Sequence, residues 1–393
     1  MKRNLVALAA LAFVGAASAQ SSSSVAGADR TLTNAGGAAS AQSSVTLWGV
    51  VDADVSHYSQ GNLTRTLMST SGNAGSQLGF RGTEDLGGGL SANFWLEAGL
   101  LNASGSGAAT GGGLDFNRRS TVSLAGHFGE VRLGLDYTPS FVNHFAFDPF
   151  FDGGPGAGTN ITLTGGANGA AGANLLTAVR ASNSVEYLWG FAPNALAVVG
   201  RGPYAQLMYA FAGNSSGQPA LGEYAGGRFG YASGPVNAAI SYAQSKGKPY
   251  AADAAAGYST YTEFNLGGSY NFGVAKLMAH IGTNDSDVAG TKATQWGVGA
   301  IIPAGQGYIP VSYNSIKQND ATSDGADQFA IGYVYYLSKR TALYATVSHI
   351  NNKNNGHYSF FGGNGGGNPA FYAVPGFAYG DGTGYDVGLR TSF

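Results

Sequence analysis

The sequence predicts an all-β protein that crosses a membrane as a transmembrane antiparallel up-and-down β-barrel of sixteen strands. Three observations carry this prediction. The chain begins with an export signal, only 11% of its residues are charged against roughly 25% in soluble domains, and apolar and polar side chains alternate in repeated short runs. No apolar run after residue 19 reaches the ~20 residues of a transmembrane helix. A secreted soluble β-sandwich is the alternative.

Two segments precede the predicted barrel. Residues 1–19 have the charged start, apolar centre and small-residue end of a cleaved signal peptide. Residues 20–44 are rich in Ser, Ala and Gly and are expected to form a flexible extension, whereas residues 45–393 form the barrel. The 20 basic residues minus Lys2 and Arg3 leave 18 against 22 acidic ones, a balance of −4. A chain with this weak charge is not expected to bind nucleic acid.

Alternating runs account for the chain from Val45 onward. In the first run, Leu47 and Val51 are apolar while Asp52 and Asp54 fall between apolar positions, so both carboxylates are expected on the wet face. The sixteen runs are 45–58, 76–84, 90–100, 117–126, 129–137, 181–190, 196–211, 222–232, 236–245, 259–271, 274–282, 291–302, 307–316, 327–337, 341–350 and 384–393.

The connections between the runs alternate in length, as they do in outer-membrane barrels. Short turns, such as 191–195, carry Gly, Pro, Asn or Ser. Long connections, such as 59–75, lie between them. Tyrosines and tryptophans near the ends of runs are expected in the aromatic girdles at the two membrane interfaces. These are Tyr137, Trp189, Tyr231, Tyr261, Tyr313 and Tyr336.

The connection at 138–180 is unusually long for a barrel loop, and five phenylalanines follow its start. A long loop inside a regular pattern of strands is usually functional or disordered. An apolar segment of this kind needs a surface to pack on, so we expect it to fold into the lumen and narrow it. An external loop is the alternative. The phenylalanines are Phe141, Phe145, Phe147, Phe150 and Phe151.

Several motifs resemble the general porins of β-proteobacteria, of the Burkholderia and Comamonas type. They include LGFRGTEDLGGGL at 78–90, FNR at 116–118, FGEVRLG at 128–134 and the C-terminal strand ending at Phe393. The resemblance covers Val45 to Phe393. It implies a homotrimeric channel in the Gram-negative outer membrane, in contact with lipids and lipopolysaccharide, whose inward third loop forms the constriction. Small hydrophilic solutes and ions would diffuse through it passively.

The resemblance also suggests which residues line the constriction. Arg118, Glu97 and Arg180 occupy positions where such porins place charged residues of the barrel wall, and Arg81 resembles a basic lumen residue. Gln77 stands where the family often has an arginine, so a mixed or mildly anion-preferring constriction is expected. The loop acids Asp148 and Asp152 are expected across from the arginines. Further residues are expected to face the lumen: Asp52, Asp54, Gln77, Arg132, Asp136 and Glu186.

The alternation of apolar and polar positions predicts different directions for the side chains of these charged residues. Arg81 and Glu97 fall opposite apolar neighbours and face the lumen on pattern alone, since a basic side chain facing lipid at the midplane costs ~2–4 kcal/mol. Arg118 shares the parity of Val122 and Leu124, so the pattern turns it outward and the resemblance turns it inward. By strict alternation, only one of Arg118 and Arg119 can face the lumen. We follow the resemblance and place Arg118 there.

No enzymatic site is expected. The chain has no cysteine, and it contains neither a His-Glu-x-x-His nor a Gly-x-Ser-x-Gly motif in a suitable context. We therefore expect no catalytic residues, metal or cofactor. Two functional alternatives to a general porin stay open: a channel with one preferred solute class, and an adhesin or structural anchor with a plugged lumen. The lumen charges could also merely solvate a wide channel.

Overall fold

The computed structural model describes residues 43–108, 111–151, 153–162, 177–213, 220–248, 257–287, 291–319, 323–360 and 375–393. The predicted signal peptide and nearly all of the predicted extension lie outside these residues. Within the described ranges, no helix is long and apolar enough to cross a membrane.

The described chain forms one closed antiparallel barrel. The last strand pairs with the first, from Val50 opposite Ser392 to Gln60 opposite Gly382. Gly49 and Phe393 exchange backbone hydrogen bonds of 3.1 and 3.0 Å beyond that ladder. The strands are β1 (Ser44–Gln60), β2 (Leu63–Thr70), β3 (Gln77–Gly87), β4 (Leu90–Leu101), β5 (Ser106–Gly107), β6 (Arg119–Gly126), β7 (Gly129–Tyr137), β8 (Arg180–Trp189), β9 (Gly202–Ala210), β10 (Tyr224–Ser233), β11 (Val236–Gly247), β12 (Ser259–Asn271), β13 (Lys276–Ser286), β14 (Ala293–Ala304), β15 (Gly307–Gln318), β16 (Gly325–Tyr336), β17 (Thr341–Lys353) and β18 (Gly382–Ser392).

Eighteen strand segments fill sixteen positions in the wall. The short β5 pairs only with the end of β4, inside a loop. Segments β2 and β3 both pair with β1, β2 with its residues 53–60 and β3 with its residues 44–50. They are two halves of one wall strand, interrupted between Thr70 and Gln77. The prediction of sixteen strands is confirmed, but the predicted long loop at 59–75 is wrong, because Leu63–Thr70 within it form β2.

Alternation along the strands separates an apolar outer face from a polar inner face. Val122, Leu124, Leu266, Val387 and Leu389 are all exposed on the outside. Because successive side chains of a strand point to opposite faces, their neighbours point inward. The outer face is therefore the surface that contacts lipid, and the inner face lines the lumen.

The predicted aromatic girdles are only partly correct. Trp189 and Tyr231 are exposed near the ends of their strands, on the outer surface. Tyr137 and Tyr261 are buried inside the barrel instead, at 8% and 4% exposure. Both were assigned to the girdles by their position near a strand end, which does not determine the face on which a side chain lies.

The connection after β7 runs through the interior of the barrel. Pro139–Phe145 forms a short helix that starts with proline at its first turn, where the missing N–H costs no helical hydrogen bond. A 3₁₀ turn at Gly154–Gly156 and a single helical turn at Thr159–Thr162 follow. We refer to residues 138–162 as the inner loop. Residues 163–176 and Asp152 lie outside the described part of the chain.

Hydrogen bonds fix the inner loop to the far wall. The Ser140 hydroxyl donates to Glu263 of β12 at 3.1 Å. The amide of Gln328 on β16 donates to the Pro155 carbonyl at 2.9 Å. The amide of Asn284 on β13 donates to the Thr162 carbonyl at 3.2 Å. The loop thus leaves β7 and contacts strands on the opposite side of the barrel, which narrows the space within it.

Candidate functional site

Four side chains form a compact polar cluster where the inner loop leaves the wall. The Arg118 guanidinium donates to the Glu97 carboxylate at 2.6 Å. It also donates to the Tyr137 hydroxyl at 2.9 Å, and Arg180 donates to the same hydroxyl at 2.5 Å. The Arg180 guanidinium carbon lies 4.1 Å from the centre of the Tyr137 ring. We call Glu97, Arg118, Tyr137 and Arg180 the wall cluster.

Strand pairing positions the wall cluster. Tyr137 ends β7 directly opposite Arg180, which begins β8. The backbone N–H of Arg118 donates to the Glu97 carbonyl at 3.1 Å, just before β6 begins. The cluster also supports the inner loop, because the Phe141 ring stacks on Tyr137 at 5.3 Å between ring centres. Charged groups and loop are therefore held by the same tyrosine.

Both Arg118 and Arg119 lie inside the barrel. Arg119 follows the alternation, with Thr121 and Ser123 buried on its face and Val122 and Leu124 exposed on the other. Arg118 lies outside the regular strand, so alternation does not constrain it. The prediction that only one of the two faces the lumen is therefore wrong.

A buried tryptophan connects the wall cluster with two further arginines. The Trp95 indole N–H donates to the Glu97 carboxylate at 3.1 Å. Arg119 lies over its ring at 4.3 Å and Arg81 at 5.4 Å. Cation–π contacts of this kind stabilise a guanidinium at the face of an aromatic ring. Arg81 is only half-buried, which leaves part of its charge accessible from the lumen.

Asp148 has a different environment from the one expected. It belongs to the inner loop, but it is only 1% exposed. Its carboxylate oxygens accept hydrogen bonds from the backbone N–H groups of Phe150 and Gly158, at 2.8 and 2.7 Å. Burial raises its pKa to about 6, against the opposing effect of these two bonds. Asp148 thus stabilises the bend of the loop through its own backbone.

His144 is the second titratable group of the inner loop, and the sequence did not single it out. Its Nε2 atom lies 2.8 Å from the Thr162 hydroxyl, and its ring centre lies 4.6 Å from that of His280 on β13. Burial, followed by the charge of His280, holds the pKa of His144 well below its usual 6.5. The imidazole is therefore neutral in the folded protein at pH 7.

Asp52, Asp54 and Gln77 lie on the inner face, where little of each is exposed. Asp52 accepts hydrogen bonds from the backbone N–H groups of Asn73 and Ala74 at 3.1 and 2.7 Å, and Asp54 accepts one from the Ser69 hydroxyl at 2.9 Å. These two carboxylates therefore hold the end of β2 and the segment that connects β2 to β3. Their partners are thus protein groups beside the break in the strand.

Arg132, Asp136 and Glu186 form one ion-pair network on the inner face. Arg132 contacts Glu130 at 2.8 Å, Asp136 at 3.2 Å and Glu186 at 3.7 Å. Arg119 joins it through Asp136 at 3.2 Å. All five side chains are at most 4% exposed, and the three carboxylates offset both arginine charges within the wall. Glu130 and Arg119 were not predicted, although their parity with polar neighbours indicated the inner face.

The chain is similar to known proteins over most of its length. A family described as "Gram-negative porin" matches residues 6–355. Outer membrane porin protein 32 of Delftia acidovorans is 38% identical over 363 residues, covering 90% of each chain. An outer membrane porin protein of Bordetella pertussis is 31% identical over 365 residues, covering 80% of this chain and 91% of that protein. The solved anion-selective porin from Comamonas acidovorans matches with a TM-score of 0.71 at 34% identity, covering 90% of this chain and 100% of that one.

Proposed function

Because the chain belongs to the Gram-negative porin family, we propose that the wall cluster and Arg81 set the ion preference of its channel. The protein is an outer-membrane porin through which solutes diffuse passively, and membership identifies a channel rather than an enzyme. The proposed preference is for anions, and it is mild. Ions and small hydrophilic solutes would cross the membrane through the space between the inner loop and the wall.

The observation that carries this proposal is the unequal pairing of the two arginines in the wall cluster. Glu97 lies 2.6 Å from Arg118 and offsets its charge. Arg180 is held instead by the neutral hydroxyl and ring of Tyr137. Among the described residues, no carboxylate lies within ion-pair distance of Arg180. The cluster therefore carries an excess of one positive charge, and such a charge beside a narrow pore attracts anions.

Two further features support a mild rather than a strong preference. Arg119 and Arg132 face three buried carboxylates, which outnumber them, so these two arginines add no net positive charge to the field in the pore. Asp148 directs its carboxylate at the backbone of its own loop, so it opposes the arginines weakly. Asp152, for which no contacts are described, remains a proposed pore acid. The similarity of this chain to a solved anion-selective porin supports the proposed preference for anions over cations.

Reversal potentials across a planar lipid bilayer under a salt gradient test the proposal. Arg180→Ala should shift the potential towards cation preference, because it removes the excess charge. Glu97→Gln should shift it towards anion preference, because it leaves Arg118 unopposed. Arg340→Ala is the control, since Arg340 is exposed in the turn before β17. An unchanged reversal potential in both Arg180→Ala and Glu97→Gln would refute the charge assignment.

The same recordings separate a general porin from a channel with a preferred solute. A large, nearly ohmic current supports the general porin. A current blocked at micromolar concentrations of one solute class supports the specific channel, and the absence of current supports a structural anchor. Inorganic phosphate and a small neutral sugar are suitable first probes, because they differ in charge.

We also propose that the chain forms a homotrimer in contact with outer-membrane lipids and lipopolysaccharide, on the basis of the family resemblance. The apolar outer face is suited both to lipid and to a neighbouring barrel, so it does not distinguish them. Chemical cross-linking in native outer membranes tests the assembly. Cross-linked products ending at three chains are expected, and a product series limited to a single chain would contradict the trimer.

A further inference from the structure

One connection at the short-turn end of the barrel is much longer than its neighbours. Residues 190–201 join β8 to β9, whereas the turns after β6, β10 and β14 each have two residues between their strands. The predicted strand at 196–211 was wrong in its first part, because β9 begins only at Gly202. Ala197 and Val198 in this connection are each only 3% exposed. We call residues 190–201 the inner turn, because they fold into the barrel.

Buried arginines of the inner wall hold the inner turn by its backbone carbonyls. Arg228 on β10 donates to the carbonyls of Ala197 at 3.0 Å and Val198 at 2.6 Å. Arg132 on β7 donates to the Ala195 carbonyl at 2.5 Å, and Arg119 on β6 donates to the same oxygen at 3.4 Å. Charged donors make the stronger class of hydrogen bond. Three strands of the wall thus bind three carbonyls of the turn from inside the barrel.

Asn194 of the inner turn extends these contacts to a further strand of the wall. The backbone N–H of Asn194 donates to the Glu130 carboxylate at 3.0 Å, and its side-chain amide donates to the Gly82 carbonyl on β3 at 3.0 Å. Asn194 has a φ of 53°, a left-handed conformation that asparagine tolerates better than most residues. The contacts therefore extend from β3 to β10 along the inner face.

Arg228 forms no close ion pair with any residue in the described part of the chain. It is fully buried, and no carboxylate there lies within ion-pair distance of it. Its guanidinium carbon lies 5.1 Å from the ring centre of Tyr204 and 5.8 Å from that of Phe191. A buried charge is costly unless it is hydrogen-bonded. The carbonyls of the inner turn supply that hydrogen bonding, so Arg228 and the turn depend on each other.

The inner turn and the inner loop share one apolar cluster. Val198 belongs to one apolar cluster with Phe141 and Val142 of the loop helix, together with Tyr204 and Ala239 of the wall. The helix that begins the constriction therefore packs on a surface to which this turn contributes. Removal of the turn would both empty part of the lumen and remove support from the helix.

From these contacts we infer that the inner turn, bound by Arg228, is a second narrowing element of the channel and a positioning element for the inner loop. It restricts the channel on the short-turn side of the wall cluster. This inference rests on the channel function of the barrel, but not on the charge assignment of the wall cluster. It makes Arg228 a positioning residue for permeation, since its guanidinium acts on the pore through the turn.

Single-channel conductance tests the narrowing. Arg228→Met keeps an unbranched side chain but removes the hydrogen bonds to the carbonyls of Ala197 and Val198. The released turn should raise both the conductance and the current noise. Replacement of residues 191–200 by the two-residue turn Asn-Gly, which suits a hairpin, should raise the conductance further. Arg340→Met is the matched control in an exposed turn and should leave conductance unchanged. If the charge assignment of the wall cluster is wrong, the reversal potentials of its variants will not change. If the present inference is wrong, the conductance of the inner-turn variants will not change, so the two failures are distinguishable.

Cross-linking tests the position of the turn even if these variants fold poorly. The chain has no cysteine, so Val142→Cys and Val198→Cys can be introduced as a unique pair. A short thiol cross-linker should join them in the folded barrel, checked by its heat-modifiable mobility in gel electrophoresis. Val198→Cys paired with Leu337→Cys, in an exposed turn, should not react. Absence of a Val142–Val198 cross-link, or unchanged conductance in both pore variants, would overturn the inference.

Discussion

Gly267 is the position in the wall where a single methyl group should have the largest effect on the inner loop. It lies on the inner face of β12, and the Phe147 ring of the loop packs directly against it. A Cβ atom at Gly267 would lie 2.0 Å from Cδ2 and 2.6 Å from Cγ of that ring. Phe147 is 1% exposed, so the ring is enclosed by other protein groups. Gly267→Ala must therefore displace the ring or the strand.

The expected magnitude follows from these distances. Insertion of an extra methyl group into a packed interior costs typically ~1–3 kcal/mol, so we expect Gly267→Ala to lower the unfolding free energy by about that amount. Phe147→Ala should cost ~3–5 kcal/mol by itself, because it leaves a cavity. In the double variant the methyl group meets no ring, so the cost of Gly267→Ala should almost vanish. The two changes should thus be coupled by ~1–3 kcal/mol.

The assay is reversible denaturant unfolding of the barrel in lipid vesicles, followed by tryptophan fluorescence for the four proteins of the cycle. Gly268→Ala is the matched control, because its Cβ would meet only the Asn237 carbonyl oxygen at 3.8 Å. It should change stability far less and show no coupling to Phe147→Ala. Additivity of Gly267→Ala and Phe147→Ala within ~0.5 kcal/mol would refute the packing of the loop on this glycine.

Two further predictions concern polar groups of the wall cluster and the inner loop. Tyr137→Phe removes the hydroxyl shared by Arg118 and Arg180, so the unfolding free energy should fall by ~1.5–3 kcal/mol; Tyr231→Phe, on the outer surface, is the control, and equal losses would contradict the argument. Because burial depresses the pKa of His144 below 6.5, the unfolded chain binds its proton first as pH falls, so stability drops below pH 6.5. His144→Gln should flatten that pH dependence of the unfolding free energy, and an identical slope would exclude the role.

Most of the barrel could be predicted because its strands follow a simple physical rule. Side chains alternate between lipid and lumen, and this pattern is visible at Leu266 or Val387 without any tertiary information. Alternation failed where the backbone leaves the regular strand. The segment containing β2 was mistaken for a loop, and residues 196–201 of the inner turn were mistaken for the start of β9. Contacts distant in sequence determine the path of the inner turn, whereas β2 forms a local hairpin with β1 that the weak alternation of its residues did not indicate.

The candidate site was less predictable, because partners decide what a charged residue does. The sequence indicated that Glu97 and Arg81 face the lumen. It could not show that Glu97 would pair with Arg118, or that Arg180 would bind the ring of Tyr137. The loop acid Asp148 illustrates the same limit, since its carboxylate found two backbone N–H groups of its own loop. Hydrogen-bonding partners of this kind arise from the folded geometry.

The interruption of the second wall strand has a consequence for how the channel is assembled. The inner loop touches the break there: a Cβ at Gly154 would lie 2.4 Å from the Gly72 carbonyl oxygen and 2.7 Å from Asp386 of β18. The tip of the loop is thus seated between the second strand and the last. The second wall strand and β18 lie on either side of β1 only when the barrel is closed. The site that holds the tip of the loop is therefore absent from an open sheet. The tip of the inner loop can therefore reach this position only after the barrel has closed, so an unclosed barrel would not hold the loop in place.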